Sequence, residues 1–531
     1  MNSKTVRVDV VEKKLDAIFA DINQCQLPGV AVGIAIDGTP VYRKGFGLAN
    51  LELPTALTPS MRMRIGSITK HFTSLAFLLL CEGGHAAVED SIGKYVPELH
   101  PIGRNVTVRQ LMGHVSGLRD SFDICWSFNG VDRHVTSKEL LGYYQNIDDA
   151  NFPPDATWMY NNGGYLLLSA AVERISGEPL EHFLHTRIFE PVGMYDTVLR
   201  RWDNEYVPNS ASLHYREDSG TYTRASLGTE LDGVGGIAST VDDMLRWLRC
   251  MSAPVVGSEA TWEGLRTPLR LANGISTGYG LGLFAGSYRG VETVGHVGGV
   301  LGGNSQMMKV PSAGLDIAIL GNRSDVVTVD LALRVLDTCL IGLAPAAVGA
   351  SLVASGTFFS EETGQVVQLL GKEGRQFAVL NGLEMPMEAS EDGTTLRPSG
   401  HTILSFKMSI TLVGDQERPS AIRLIRFGTS EKLVAVLAPE PDRIASEIAG
   451  RYRVERIDTE AVVSLTKIGA RLETSGRFGR VEYALEALGD SLWRAKGPYE
   501  LGGVVAFDRR ATRFEFSTTR TSRLQFTRVE R

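Results

Sequence analysis

The hydrophobic periodicity of this chain changes once, near residue 345, and that change limits the fold more than any other feature of its 531 residues. Before it, apolar residues recur at helical spacing in several segments; beyond it the helical period is gone. There Leu404, Phe406, Met408, Ile410 and Leu412 alternate with Ser405, Lys407, Ser409 and Thr411, the mark of a strand with one buried face. A loose internal repeat accompanies the change. Gly356-Thr-Phe-Phe-Ser-Glu-Glu with Val366-Val367 returns as Gly450-Arg-Tyr-Arg-Val-Glu-Arg with Val462-Val463. The repeat predicts two similar antiparallel β-barrels or sandwiches of roughly 90 residues each. A chain this long exceeds one ordinary core, and the expected division is 1–345, 346–442 and 443–531.

The first of these regions reads as mixed. A helix is expected at about 10 to 24, then two β-rich runs, Pro28 to Ile36 and Thr39 to Gly47, joined as a hairpin by Asp37-Gly38. Later, Leu111 to Leu118 is a helix end passing into a turn, and Asn151-Phe-Pro-Pro-Asp155 is a loop that delivers Tyr160-Asn161-Asn162. Helical patterns cover Gly164 to Arg174 and Asp242 to Arg249, with the Gly-rich stretch Gly233 to Thr240 before the second. A three-strand meander (Val291 to Gly298, Asn304 to Val310, Leu315 to Gly321) and a closing helix over Asp325 to Ile341 complete an α+β domain with an antiparallel sheet.

Within that domain, Met61-Arg-Met-Arg-Ile-Gly66 is a short strand-like piece, and the helix-forming run up to Leu80 follows. Ser67 is therefore predicted to open a helix that ends near Gly83-Gly84, its hydroxyl among the unpaired N–H groups at the positive end of the dipole. Lys70, three residues on, shares that face. A serine hydroxyl is a poor nucleophile alone, and a neutral amine beside it can take its proton, which is the logic of an S-x-x-K pair. The same letters also suit a helix N-cap with a solvated lysine. A second match, Ser464-Leu-Thr-Lys467, lies in a strand-like run, where residues three apart point to opposite faces.

Composition removes other classes of function. A net charge of −7 argues against nucleic-acid binding. Five scattered cysteines (Cys25, Cys81, Cys125, Cys250, Cys339) without a C-x-x-C pair suggest reduced thiols and no structural zinc. The charged N-terminus lacks the apolar core of a signal peptide, and no run approaches a membrane span, so a soluble, cytoplasmic protein is expected. Nothing calls for a metal or cofactor.

Seven stretches then converge. Ser67-Ile-Thr-Lys70, His114-Val-Ser-Gly-Leu118, Tyr160-Asn-Asn162, Pro191-Val-Gly-Met194, Gly235 to Thr240, Tyr279-Gly-Leu-Gly282 and His296-Val-Gly298 occur in this order. That ordered set resembles class C-type β-lactamases and low-molecular-mass penicillin-binding proteins. Histidine where the third motif usually has lysine, and two β-domains after the catalytic one, narrow the resemblance to the bacterial D-aminopeptidases of that superfamily. The resemblance implies a serine hydrolase that releases N-terminal D-amino acids from peptides, amides or esters through an acyl-enzyme on Ser67. Lys70 would act as base, Tyr160 would pass the proton to the leaving amine, and Asn162 would hold Lys70 and the substrate amide. The oxyanion would lie between the Ser67 N–H and that of Gly299, beside Gly298.

His296, mostly neutral at pH 7, is expected to act in the site while disfavouring a substrate carboxylate; a plain backbone contact is its bland alternative. His114 is expected to be structural. In the family a loop of the last β-domain brings a carboxylate to the substrate's free amine, and Glu500 in Ala495 to Gly503 is the available one. A small peptide or amino-acid amide substrate and a homodimer are implied, with neither nucleic acid nor membrane as partner. A serine esterase or amidase of the same superfamily, or a non-catalytic penicillin-binding-like protein, remain as alternatives.

Overall fold

The structure, a computed structural model, describes residues 7–345, 353–399, 407–437, 447–466 and 469–529. In the first domain, β1 (Val30–Ile36) and β2 (Thr39–Phe46) form the expected hairpin. Asp37 and Gly38 both have positive φ, as a two-residue turn with the right twist requires. The strands β3 (Phe284–Tyr288), β4 (Val291–Val300), β5 (Gly303–Val310) and β6 (Leu315–Gly321) form a meander whose last strand pairs with β1. The sheet order is therefore β3-β4-β5-β6-β1-β2, antiparallel throughout. The meander has one strand more than the sequence suggests. Gly280, Gly282, Gly286 and Gly290 in and around β3 dilute its apolar pattern.

Both faces of this sheet are covered. The helices that matter are α1 (Glu12–Ile18), α2 (Thr69–Glu82), α3 (Ser121–Asn129), α4 (Asn162–Ser176), α5 (Val241–Ser252) and α6 (Thr328–Cys339). Val32 and Ile34 of β1 pack with Leu15 and Ile18 of α1 and with Val335 and Leu336 of α6. Ala31 and Ala35, one residue out of phase, face Met244, Leu245 and Leu248 of α5. The period of two thus divides one strand between two cores.

Two helices are shorter than their periodicity. The first stops at Ile18 because polar Asp21 and Asn23 and then Pro28 favour turns. The closing helix starts at Thr328, after extended Val327, and stops at Cys339 because Leu340–Ile341 leaves to pair with Arg7–Val8.

Two closed eight-stranded antiparallel barrels follow, from Gly356–Phe359 to Thr429–Ala435 and from Gly450–Val454 to Leu524–Arg528. The internal repeat is the opening hairpin of each. Phe358 pairs with Val367 and Tyr452 with Ala461, and both aromatic side chains are fully buried two residues after the repeat's glycine. Met408, Ile410 and Leu412 point into the first barrel, as the alternation requires; Leu404 and Phe406 lie outside the described residues. The first barrel's core is its own, whereas that of the second runs continuously into the helical core of the first domain. Among the described residues no helix is long and apolar enough to cross a membrane.

Candidate active site

Ser67 sits on a single tight turn, Gly66–Ile68, that leads into α2, so the regular helix begins two residues later than its pattern suggests. The cause is steric. Gly66 has φ +53°, and a Cβ there would come within 2.7 Å of the Gly299 nitrogen on β4. Behind it, a Cβ at Gly298 would strike the Ile65 carbonyl oxygen at 1.9 Å, and Ser305 Oγ donates to that same oxygen. Only glycines let the turn and the strand touch. That contact brings the backbone beside Ser67 against Gly299, the expected oxyanion pair.

Lys70 is completely buried, with its Nζ 3.2 Å from Ser67 Oγ. Nζ also donates to Asn162 Oδ1 at 2.9 Å and to the Val234 carbonyl at 2.8 Å. A neutral amine has two N–H groups and one lone pair. Two acceptors and one hydroxyl surround Nζ, so a neutral Lys70 that donates to both acceptors would turn its lone pair to Ser67. Burial drives the Lys70 pKa well below its ordinary value and the Arg520 guanidinium lowers it further; Asp120 and Asp232 oppose them. Its rings are those of Tyr160 and Tyr165, with centroids 4.9 and 5.5 Å from Nζ. Phe72, two residues on, packs at a tilt against Trp247 instead.

The Gly-rich stretch is pinned along α2. Thr69 Oγ1 accepts from the Ile237 N–H, Lys70 reaches the Val234 carbonyl, and Thr73 Oγ1 donates to the Gly233 carbonyl. Across the site, α4 delivers Asn162. Asn161 Oδ1 caps that helix by accepting from Gly164 N, and buried Asp120 accepts from the N–H groups of Asn162 and Gly163 as well as Phe122. His114 holds the approach: its Nδ1 accepts from Asn161 N, and its ring lies 4.3 Å from that of Tyr160. The Tyr160 hydroxyl is buried beside Ser67 with no hydrogen bond of regular geometry, and burial raises its pKa.

His296 is engaged on both sides. Nδ1 lies 2.6 Å from the Val297 carbonyl, which can only accept, so Nδ1 carries the proton; Nε2 then accepts from the Tyr279 hydroxyl at 3.0 Å. Burial, followed by the nearby Lys70, lowers its pKa to about 3, which keeps the ring neutral.

Ser67 and Asn162 open onto a cavity of about 350 Å³. Gly299 to Gly302 form one wall, Trp126, Val131, Leu227 and Leu231 an apolar one, and the second barrel supplies Tyr499, Glu500 and Arg520. Glu500 is exposed at the tip of the hairpin between Leu492–Lys496 and Gly502–Phe507. Tyr499 and Glu500 both have positive φ, which turns the tip sharply into the cavity mouth. Tyr499 packs edge-on against Tyr215. Lys70, Tyr160 and His296 sit behind the lining. Arg520 was missed by sequence reasoning. Its signal is a hydroxyl-rich break, Thr518-Thr-Arg-Thr-Ser522, between strands carrying Phe514 and Phe516 and then Leu524 and Phe526. The second S-x-x-K match plays no part: Ser464 lies in a barrel strand, and Lys467 is outside the described residues.

Residues 11–339 match the profile of the Beta-lactamase family. Over most of its length the chain is similar to a D-aminopeptidase from Cereibacter sphaeroides, 25% identical with 92% of this chain and 91% of that protein covered. It is likewise similar to a D-aminopeptidase from Brucella melitensis, 27% identical with 88% and 87% covered. Among solved structures, the octameric penicillin-binding protein homologue from Pyrococcus abyssi shares the fold, with a TM-score of 0.59 and 23% identity over 80% of this chain and 100% of that one.

Proposed function

Because the chain belongs to the Beta-lactamase family, we propose that it is a D-stereospecific serine hydrolase that releases N-terminal D-amino acids from peptides, amides or esters. Similarity to two D-aminopeptidases over about nine-tenths of the chain supports this reading. The observation that carries it is that a nucleophile and a carboxylate from a separate domain, Ser67 and Glu500, line one cavity.

Ser67 Oγ attacks the acyl carbon as the Lys70 lone pair takes its proton. The N–H groups of Ser67 and Gly299 hold the oxyanion, each such donor being worth about 10²- to 10³-fold in rate. Tyr160 relays the proton to the leaving nitrogen, and water then cleaves the ester on Ser67. Glu500 pairs with the free α-amine and sets the N-terminal preference. His296 serves as a positioning residue, its ring holding Tyr279 beside the tyrosine layer and leaving the β4 edge uncharged.

Hydrolysis of D-alanine and L-alanine p-nitroanilides tests this reading, with Ser67→Ala as control. A D-selective rate that falls by at least about 10³-fold in the variant is expected. Turnover of simple esters with neither anilide cut would leave the nucleophile standing and reject the aminopeptidase assignment.

A further inference from the structure

Arg520 is a charged residue lining the cavity that the proposed mechanism leaves without a task. It stands on the loop between Arg513–Ser517 and Leu524–Arg528, and the catalytic domain grips that loop at four points. Thr518 Oγ1 donates to Asp123, and Asn151 donates to the Arg520 carbonyl while accepting from Ser522 N. Arg119 donates to the Ser522 carbonyl. The guanidinium itself is held loosely by comparison. Its Nη1 lies 3.8 Å from Asp120 Oδ2, beyond hydrogen-bond reach, and Asp120 already accepts three backbone N–H groups. Among the described residues the Arg520 side chain donates no hydrogen bond, although it is only 28% exposed. Its Cζ lies 5.3 Å from the centre of the Tyr160 ring.

A planar fork of N–H donors on a fixed loop, its hydrogen bonds unused and its nearest carboxylate too far to take one, matches a carboxylate. Which carboxylate follows from position. Tyr160 faces the leaving nitrogen in the mechanism above, and in a dipeptide the carboxylate carbon lies about 2.5 Å from that nitrogen. Each further residue would carry the terminus up to about 3.5 Å away. Glu500 supplies the opposite charge in the same cavity. The β4 edge supplies none, since His296 is neutral and turned onto Val297 and Tyr279.

We propose that Arg520 is the receptor for the C-terminal carboxylate of short substrates, so that the cavity selects dipeptides whose two termini are both free. This rests on the aminopeptidase reading for the orientation of the substrate, with the amine toward Glu500 and the leaving group toward Tyr160. The last barrel then supplies both charges that define the substrate.

The test is calorimetric binding of D-Ala-D-Ala and of its C-terminal amide to the Ser67→Ala protein, which needs no turnover. The free acid is expected to bind about 10- to 100-fold more tightly, the range for a hydrogen bond to a charged group. Arg520→Gln in the same background is expected to abolish that preference, and Arg520→Lys to restore part of it. Equal affinity for acid and amide in the Arg520 protein overturns the proposal. So does an unchanged preference in Arg520→Gln, or a parallel weakening of both ligands. Failure of the wild-type enzyme to cut either compound rejects the aminopeptidase reading alone, because the binding ratio still decides the role of Arg520.

Discussion

The two barrels share a topology and an opening hairpin, yet they meet the catalytic domain in opposite ways. The first keeps its own core and touches the domain from behind. Lys407 donates to the Ser276 carbonyl, Asn273 to that of Phe427, and the Phe427 ring lies 5.7 Å from Trp158, in the cluster that also contains Tyr160 and Tyr279. The second merges its core with α3. Phe128 packs edge-on against Phe516 and Phe526, and Tyr483 donates to the Ser127 carbonyl. It then sends Glu500 and Arg520 to the cavity mouth. The first barrel also steadies that delivery, since Asn381 donates to the Thr518 carbonyl. Duplication of a fold therefore did not duplicate a role: loops and one packed face decide it, not the barrel.

Truncating one fully buried core aromatic in each barrel offers the largest break in this comparison. Phe358→Ala and Phe516→Ala both empty a fully buried site and should each cost about 3–5 kcal/mol. The consequences should diverge. Scanning calorimetry of Phe358→Ala is expected to show an early, separate transition with D-anilide turnover retained, because that core stands alone. In Phe516→Ala the main transition should fall and turnover with it, because that core is continuous with α3. A shared drop of one transition in both variants would mean that the cores are thermodynamically one.

Next in size is Glu500→Gln, which removes the charge the second barrel places at the mouth. The KM for the D-alanine anilide is expected to rise about 10- to 100-fold, with a smaller change in kcat. A change in kcat alone would mean that the hairpin tip acts through the shape of the cavity and not through an ion pair with the amine.

These contrasts were only partly legible in the sequence. Ser67 and Lys70 could be read together because they lie three residues apart at one helix start; Asn162 and Gly298, which meet Lys70 and Ile65 across the fold, were reached only through the ordered motifs. The paired hairpins of the barrels were legible through their repeat. Arg520 was not, because its position depends on Asn151, Arg119 and Asp123, more than 350 residues earlier in the chain. Nor could the sequence tell which partners His296 would take, since Val297 is adjacent whereas Tyr279 meets it only across β3 and β4. The strand β3 escaped because its glycines carry no pattern.

The smallest effect is electrostatic and separates the barrels by charge alone. If Lys70 acts as the free amine, kcat/KM must rise with pH as Lys70 loses its proton and then level off. Burial is the largest cause of its lowered pKa and the Arg520 guanidinium the next; Asp120 and Asp232 act the other way. Replacing Arg520 with glutamine removes a repelling cation, so protonated Lys70 becomes easier to form and its pKa rises. The acid limb of the profile should therefore move to higher pH, and at a fixed pH on that limb the rate should fall. Lys407→Gln removes a cation of the first barrel whose amine donates to the Ser276 carbonyl, and it should leave the limb in place. Profiles of the two variants on the D-alanine anilide, which carries no carboxylate, keep this field effect apart from substrate recognition. A limb that moves equally in both would mean that overall charge, and not the guanidinium held beside Tyr160, keeps Lys70 a free base.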